Sequence, residues 1–233
     1  MKNTTADKLL NSAERLFAQA SYSEVSIRDI TEDAGVKLAL VHYHFGSKEE
    51  LFKAVIRRRI GKLSSDRIRL LNYYKNQNGD EPMSLEKIVE SFLAPYLYNT
   101  LYGGEGWRYY AINVARLLSS GSALGLSILC EQFDPYAEFF IVELKRAYPS
   151  ATKEQIHWGF DFLVGLMCNT FAEADRIKFL SHDICSIENP EIACQYLYHY
   201  SIEGLHAVLT KPKYDYQSTF DIIKSFSNID SSF

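Results

Sequence analysis

Apolar residues recur at helical spacing along nearly the whole chain, and no segment between turn signals alternates with period two. That pattern dictates an all-α fold, because without strands each apolar helix stripe can be buried only against other helices. Leu9, Leu10, Ala13, Leu16, Phe17 and Ala20 form the first stripe and predict a helix over about residues 5–19. The polar run from Asn76 to Pro82, with Gly79 inside it, is the first clear break. Beyond it the spacing predicts helices over about 84–101, 107–118, 124–147 with a kink at Pro135, 153–176 and 190–209, and a short one near 218–226.

The stretch SIRDITEDAGVKLALVHYHFGSKEEL, from Ser26 to Leu51, is the most informative. Ser26 followed three residues later by Asp29 resembles a capping box and starts a helix. Ile27, Ile30 and Ala34 give that helix one apolar face. Gly35 then supplies a left-handed C-cap without the Cβ penalty. A second short helix, about 37–44, buries Leu40 or Val41 together with Phe45. Two short helices about a glycine turn make a helix-turn-helix. Ser47 as N-cap with Glu50 at the third helical position opens the next helix.

These residues resemble the TetR family of bacterial transcriptional regulators. The resemblance rests on Ala34-Gly35-Val36, Tyr43-His44-Phe45 and Ser47-Lys48-Glu49-Glu50-Leu51, with Ala13-Glu14-Arg15-Leu16-Phe17 in the preceding helix. It is strong from about Leu9 to Arg57; the remainder is similar only in helical character, length and position. The resemblance implies a three-helix N-terminal DNA-binding domain over 1–52, and a helical ligand-binding and dimerisation domain over 53–233. It implies that Lys37, Leu38, Ala39, Leu40, His42 and Tyr43 face the major groove of double-stranded DNA. Tyr43 and His44 correspond to phosphate-contacting positions. Lys48, at a helix N-terminus, would take a backbone phosphate, and Ser26 and Arg28 would clamp phosphates at the start of the preceding helix. His42 stands where many relatives carry Tyr or Asn, so base preference does not transfer from them.

Charge is distributed as a DNA-binding head requires. The first 69 residues carry 13 Lys and Arg against nine Asp and Glu, whereas the whole chain carries 25 against 29. The sequence starts without the apolar run of a signal peptide, and no apolar stretch is long enough to span a bilayer, so the expectation is a cytoplasmic protein with no membrane partner. Cys130, Cys168, Cys185 and Cys194 lack CxxC spacing and read as buried reduced thiols. His42 and His44, two apart on a helix, point in different directions and make no metal pair. With no Walker loop, GxSxG, HExxH or metal-spaced Cys/His cluster, nothing points to an enzyme or to a cofactor.

The C-terminal two-thirds is rich in aromatics. Phe92, Tyr96, Tyr110, Phe133, Tyr136, Phe140 and Phe162 are candidates to line an apolar pocket between helices, with Asn113 and Arg116 as polar anchors. The segment Trp158-Gly159-Phe160-Asp161-Phe162-Leu163-Val164-Gly165 is similar to TetR-type regulators of lipid metabolism, which implies an apolar small-molecule effector such as a fatty acyl compound. The last two long helices match the family's dimer-forming pair. Trp158, Phe162, Met167, Tyr196, Tyr200 and Leu205 are the candidate interface, with Gly159 and Gly165 allowing close approach. A repressor released from a palindromic operator follows, with the helix from Lys48 towards Tyr73 as the coupling rod.

Overall fold

Local chemistry sets the ends of the first helices. The computed structural model describes residues 4–172, 174–186, 190–211 and 214–229, and its regular elements are all helices. In α1 (Thr5–Gln19) the Thr4 hydroxyl accepts from the Asp7 N–H at 3.1 Å, and the Asp7 carboxylate accepts in return from the Thr4 N–H at 3.1 Å. The same reciprocal box opens α2 (Ile27–Ala34), where Ser26 caps Asp29 and Asp29 takes the Ser26 N–H at 2.7 Å. Such a cap contributes about 1 kcal/mol. That is too little to hold an eight-residue helix alone, since isolated helices this short are unstable in water. Burial supplies the rest: Ile30 and Thr31 of α2 and Val41 of α3 (Ala39–Phe45) close against α1. Gly35, at φ 64°, turns the chain between α2 and α3 in the left-handed region that side chains with a Cβ avoid.

The 31-residue α4 (Lys48–Asn78) runs about 46 Å at a rise of 1.5 Å per residue. Its first turns complete the head, where Phe52 meets Phe17 edge-on at 4.9 Å between centroids, with Tyr22 beside both. Its later turns enter the body. There α5 (Leu85–Tyr102), α6 (Glu105–Ser119), α7 (Ala123–Gln132), α8 (Asp134–Ala147) and α9 (Lys153–Ala172) surround them. α10 (Ala174–Leu180) follows, α11 (Pro190–Thr210) packs on α9 and α5, and α12 (Gln217–Ile229) carries exposed Phe220, Ile222, Ile223 and Phe226.

Two expectations change. The stretch over 124–147 is two helices, not one kinked helix. α7 closes with the Phe133 N–H bonded to the Leu129 carbonyl, and Pro135 lies in the first turn of α8, where a missing N–H costs nothing. Gly159 serves packing within the chain: a Cβ there would collide with Leu205 of α11, so glycine lets α9 and α11 approach. Gly165, by contrast, faces open space.

Head and body are fastened by polar groups. Glu14 of α1 is buried, and its carboxylate accepts from Nε and one terminal nitrogen of Arg59 of α4, at 2.5 and 2.6 Å. Gly106 of α6 leaves room for that guanidinium, since a Cβ would overlap it, and the Trp107 ring covers it at 5.2 Å. Asn113 of α6 donates to the Glu14 carbonyl at 2.9 Å, and Arg116 donates to the carbonyls of Phe17 and Ala20 at 3.0 and 2.9 Å. The end of α1 is thus held by side chains of α6. A buried carboxylate deprived of its partner is strongly destabilising. Arg59→Met is expected to lower unfolding stability by about 3 kcal/mol, the lower end for breaking a buried pair, because Arg58 stays 3.9 Å from the same carboxylate. Adding Glu14→Met should recover most of the loss, as read by urea denaturation.

Candidate functional site

α3 presents one face to the core and the other to solvent. Val41 is fully buried and Phe45 half-buried, which leaves Lys37, Leu38, Ala39, His42, Tyr43 and His44 exposed. Of the two alternatives for the helix core, the structure selects Val41; Leu40 is half-buried at the edge. Tyr43 is 82% exposed, with its ring edge-on to His44 at 5.0 Å between centroids. His42 has its Nδ1 2.9 Å from the Gly46 carbonyl. A carbonyl only accepts, so Nδ1 carries the proton here, and Nε2 of the neutral ring is the acceptor. Such a ring could receive an exocyclic amine of cytosine or adenine in the major groove.

The phosphate-clamp candidates lie around this helix. Arg28 is exposed on α2, and the Ser26 hydroxyl caps that helix by accepting from Asp29. The Ser26 backbone N–H, which donates to the Asp29 carboxylate, and then the Ser26 side chain hold that carboxyl below its ordinary pKa. Lys48 opens α4 with its ammonium 4.3 Å from the centre of the Tyr22 ring, and burial lowers its pKa against the pull of Asp29. Its charge therefore stands at a helix N-terminus beside α3.

Behind the head, the body encloses a cavity of about 500 Å³ between α4, α5, α6, α8 and α9. Phe92, Tyr96, Tyr110, Phe133, Tyr136 and Phe140 line it, as expected from sequence. Phe92 packs edge-on against Phe140 and Phe160, each at 5.1 Å between centroids.

Several expected roles fall elsewhere. Asn113 and Arg116 do not reach the cavity, because their side chains are spent on the carbonyls of α1. Nor does Phe162, which is 52% exposed on the opposite face of α9. Met167 turns inward, 4% exposed, with its sulfur 3.0 Å from Arg67, so it belongs to the cavity and not to an outer face. Leu205 is buried against Gly159 of its own chain. Of the interface candidates, Trp158, Phe162, Tyr196 and Tyr200 remain exposed on α9 and α11.

The charged residue buried in the cavity wall is among those that the sequence reading did not name. Arg67 lies among the wall residues of α4, buried to 5% exposure. Its signal was positional: it continues the apolar spacing of Ile60, Leu63, Ser64 and Leu71, so a charged residue occupies the buried stripe of α4.

Comparison with known proteins agrees with this arrangement. Residues 9–55 match the family described as bacterial regulatory proteins, tetR family, and residues 90–204 match the tetracyclin repressor-like C-terminal domain. The chain belongs to the TetR family. Its curated relatives include the HTH-type transcriptional regulator BetI of Rhizobium meliloti, 28% identical over 54% of this chain and 66% of that protein. The HTH-type transcriptional repressor ComR of Escherichia coli is 33% identical over 39% of this chain and 38% of its own length. The aligned stretches thus span less than two-thirds of either relative. Among solved structures, the fatty acid degradation regulator FadR of Bacillus halodurans superposes with a TM-score of 0.59 at 12% identity, covering 92% of this chain and all of that one. FadR of Bacillus subtilis in complex with stearoyl-CoA gives 0.57 at 11% identity, covering 88% and 98%. At these identities the likeness speaks for the TetR fold. Among the described residues no single helix is long and apolar enough to cross a membrane.

Burial separates the two roles carried by α3. Val41→Ala should lower stability by about 2 kcal/mol through lost core packing. Tyr43→Ala, at a site open to solvent, should change it by less than about 0.5 kcal/mol. Chemical denaturation of the two variants checks both, and a large loss in Tyr43→Ala would place that ring in the core.

Proposed function

We propose that the protein is a homodimeric transcriptional repressor that binds a palindromic operator and is released by a small, largely apolar molecule held in the cavity. The observation that carries this reading is the physical connection between the exposed face of α3 and the cavity. α4 supplies both Arg59, which grips α1, and Ile60, Leu63 and Ser64 of the cavity wall. α6 supplies both Tyr110 of the wall and the Asn113 and Arg116 that hold the end of α1. A molecule that changes the separation of α4 and α6 moves α1, and α2 and α3 with it. Effector and operator then bind different populations of one two-state protein, and each weakens the other.

In this reading Lys37, Leu38, Ala39, His42 and Tyr43 face base edges, with Leu40 at the margin. His44, Lys48, Ser26 and Arg28 take the backbone. The functional division at 52–53 falls within the unbroken α4, so the DNA-binding domain and the effector domain share a helix. Exposed Trp158, Phe162, Tyr196 and Tyr200 on α9 and α11 form the isologous interface, which sets two recognition helices about one DNA turn apart. The naming of the Bacillus FadR structures, one holding stearoyl-CoA, favours an acyl effector. The body is a sensor and not an enzyme.

Selection from random duplexes at about physiological salt tests the reading. A palindrome with half-sites about one turn apart is expected, and no enrichment by folded dimer would overturn it. Lys48→Ala should weaken binding to every duplex alike and lower the salt slope by about one. Light scattering at micromolar concentration should give the mass of two chains, and Phe162→Glu should shift it towards one.

A further inference from the structure

The cavity wall holds a buried cation that no carboxylate among the described residues pairs with. The Arg67 guanidinium lies 3.9 Å from the centre of the Phe92 ring, its Nε donates to the Phe92 carbonyl at 2.8 Å, and one terminal nitrogen reaches the Met167 sulfur at 3.0 Å. Among the described residues no carboxylate pairs with it. The titratable groups acting on it are Tyr96, Tyr110 and Cys168. Burial pushes both phenols up and lifts the Cys168 thiol to about 12, so all three are neutral at ordinary pH. Burial also pulls Arg67 down to about 10, which leaves it charged at neutral pH. Three hydroxyls of the same wall, Ser64 Oγ, Tyr96 Oη and Tyr110 Oη, are buried without a hydrogen-bond partner. An isolated buried charge and orphaned buried hydroxyls are each costly, and an anion bound against the guanidinium and a hydroxyl donor offsets both kinds of cost.

We propose that the molecule bound in this cavity is an amphipathic monocarboxylate inserted head-first, its carboxylate on the Arg67 guanidinium and its apolar body along Phe92, Phe133 and Phe140. Planar guanidinium and carboxylate match in bidentate geometry, and Ser64 and Tyr110 are further donors. The acids of the lining favour a free acid over its coenzyme A thioester. Asp134, Glu138 and Asp161 lie on the solvent-exposed side of the cavity, where the phosphates of coenzyme A would meet them. A thioester also has no anionic head to place on Arg67. This inference rests on the sensor reading for its biological meaning, but it concerns the chemistry of the site alone.

The test uses the full chain without DNA. Saturated carboxylates from octanoate to tetradecanoate are compared with decanol, decylammonium and decanoyl-CoA by calorimetry at pH 8. At least one carboxylate should bind, with decanol about tenfold weaker than decanoate and decylammonium and decanoyl-CoA weaker still. Arg67→Met, checked for folding by circular dichroism, should weaken the carboxylates by about thirtyfold or more and leave decanol almost unchanged. Tyr110→Phe keeps Arg67 and the shape of the wall; it should weaken decanoate about tenfold and spare decanol, and it decides the matter if Arg67→Met does not fold. Three results would each overturn the inference: no carboxylate binds, decanol or decanoyl-CoA binds as well as decanoate, or the acid preference survives both substitutions. Operator affinity is measured separately. Carboxylate binding through Arg67 that leaves operator affinity unchanged would refute the sensor reading and not this one. Operator release by a compound indifferent to Arg67 would do the reverse.

Discussion

The buried carboxylate of Glu14 ties the molecule together. It lies on α1, the helix against which α2 and α3 pack, and it is satisfied by Arg59 from α4. A buried ion pair of this kind adds little net stability, because desolvation of both groups offsets their attraction, yet it is costly to break. That asymmetry suits a joint between head and body. Gly106 and Trp107 of α6 enclose the same guanidinium, so the joint draws three helices to one point.

From this joint the design of the body follows. α4 and α6 diverge from it to wall the cavity, and their inward faces change character along their length. Near the head they carry polar groups that satisfy one another and the carbonyls of α1. Deeper in, they carry aromatic rings together with a single guanidinium that finds only a carbonyl, a ring and a sulfur. The first set is closed and structural. The second leaves a buried charge that no described carboxylate pairs with, and the proposal of a bound carboxylate rests on that.

The head was legible because its signals are local. The Ser26–Asp29 box, the left-handed Gly35 and the Ser47 cap each depend on residues within a few positions, and each is found as read. The aromatic wall of the cavity was largely legible too, since Phe92, Tyr96, Tyr110 and Phe140 fall on the apolar faces of their helices. Asn113, Arg116, Met167 and Leu205 were misplaced for one shared reason. A helical side chain on a face of mixed polarity can turn to either neighbour, and spacing along one helix does not say which neighbour is nearest. Arg67 was missed because a charge within an apolar stripe reads as an interruption until the surrounding helices show that it is enclosed.

By itself the sequence determined the helical class, the helix-turn-helix and its family, and the helix caps of the head. These depend on periodicity and on bonds spanning three or four residues. Only the tertiary structure decided that Arg116 bonds the carbonyls at the end of α1, that Glu14 and Arg59 meet across 45 residues, and that Arg67 is enclosed with no carboxylate partner among the described residues. Those facts arise from helices distant in the chain closing on one another, and burial, which gives such groups their energetic weight, has no local signature.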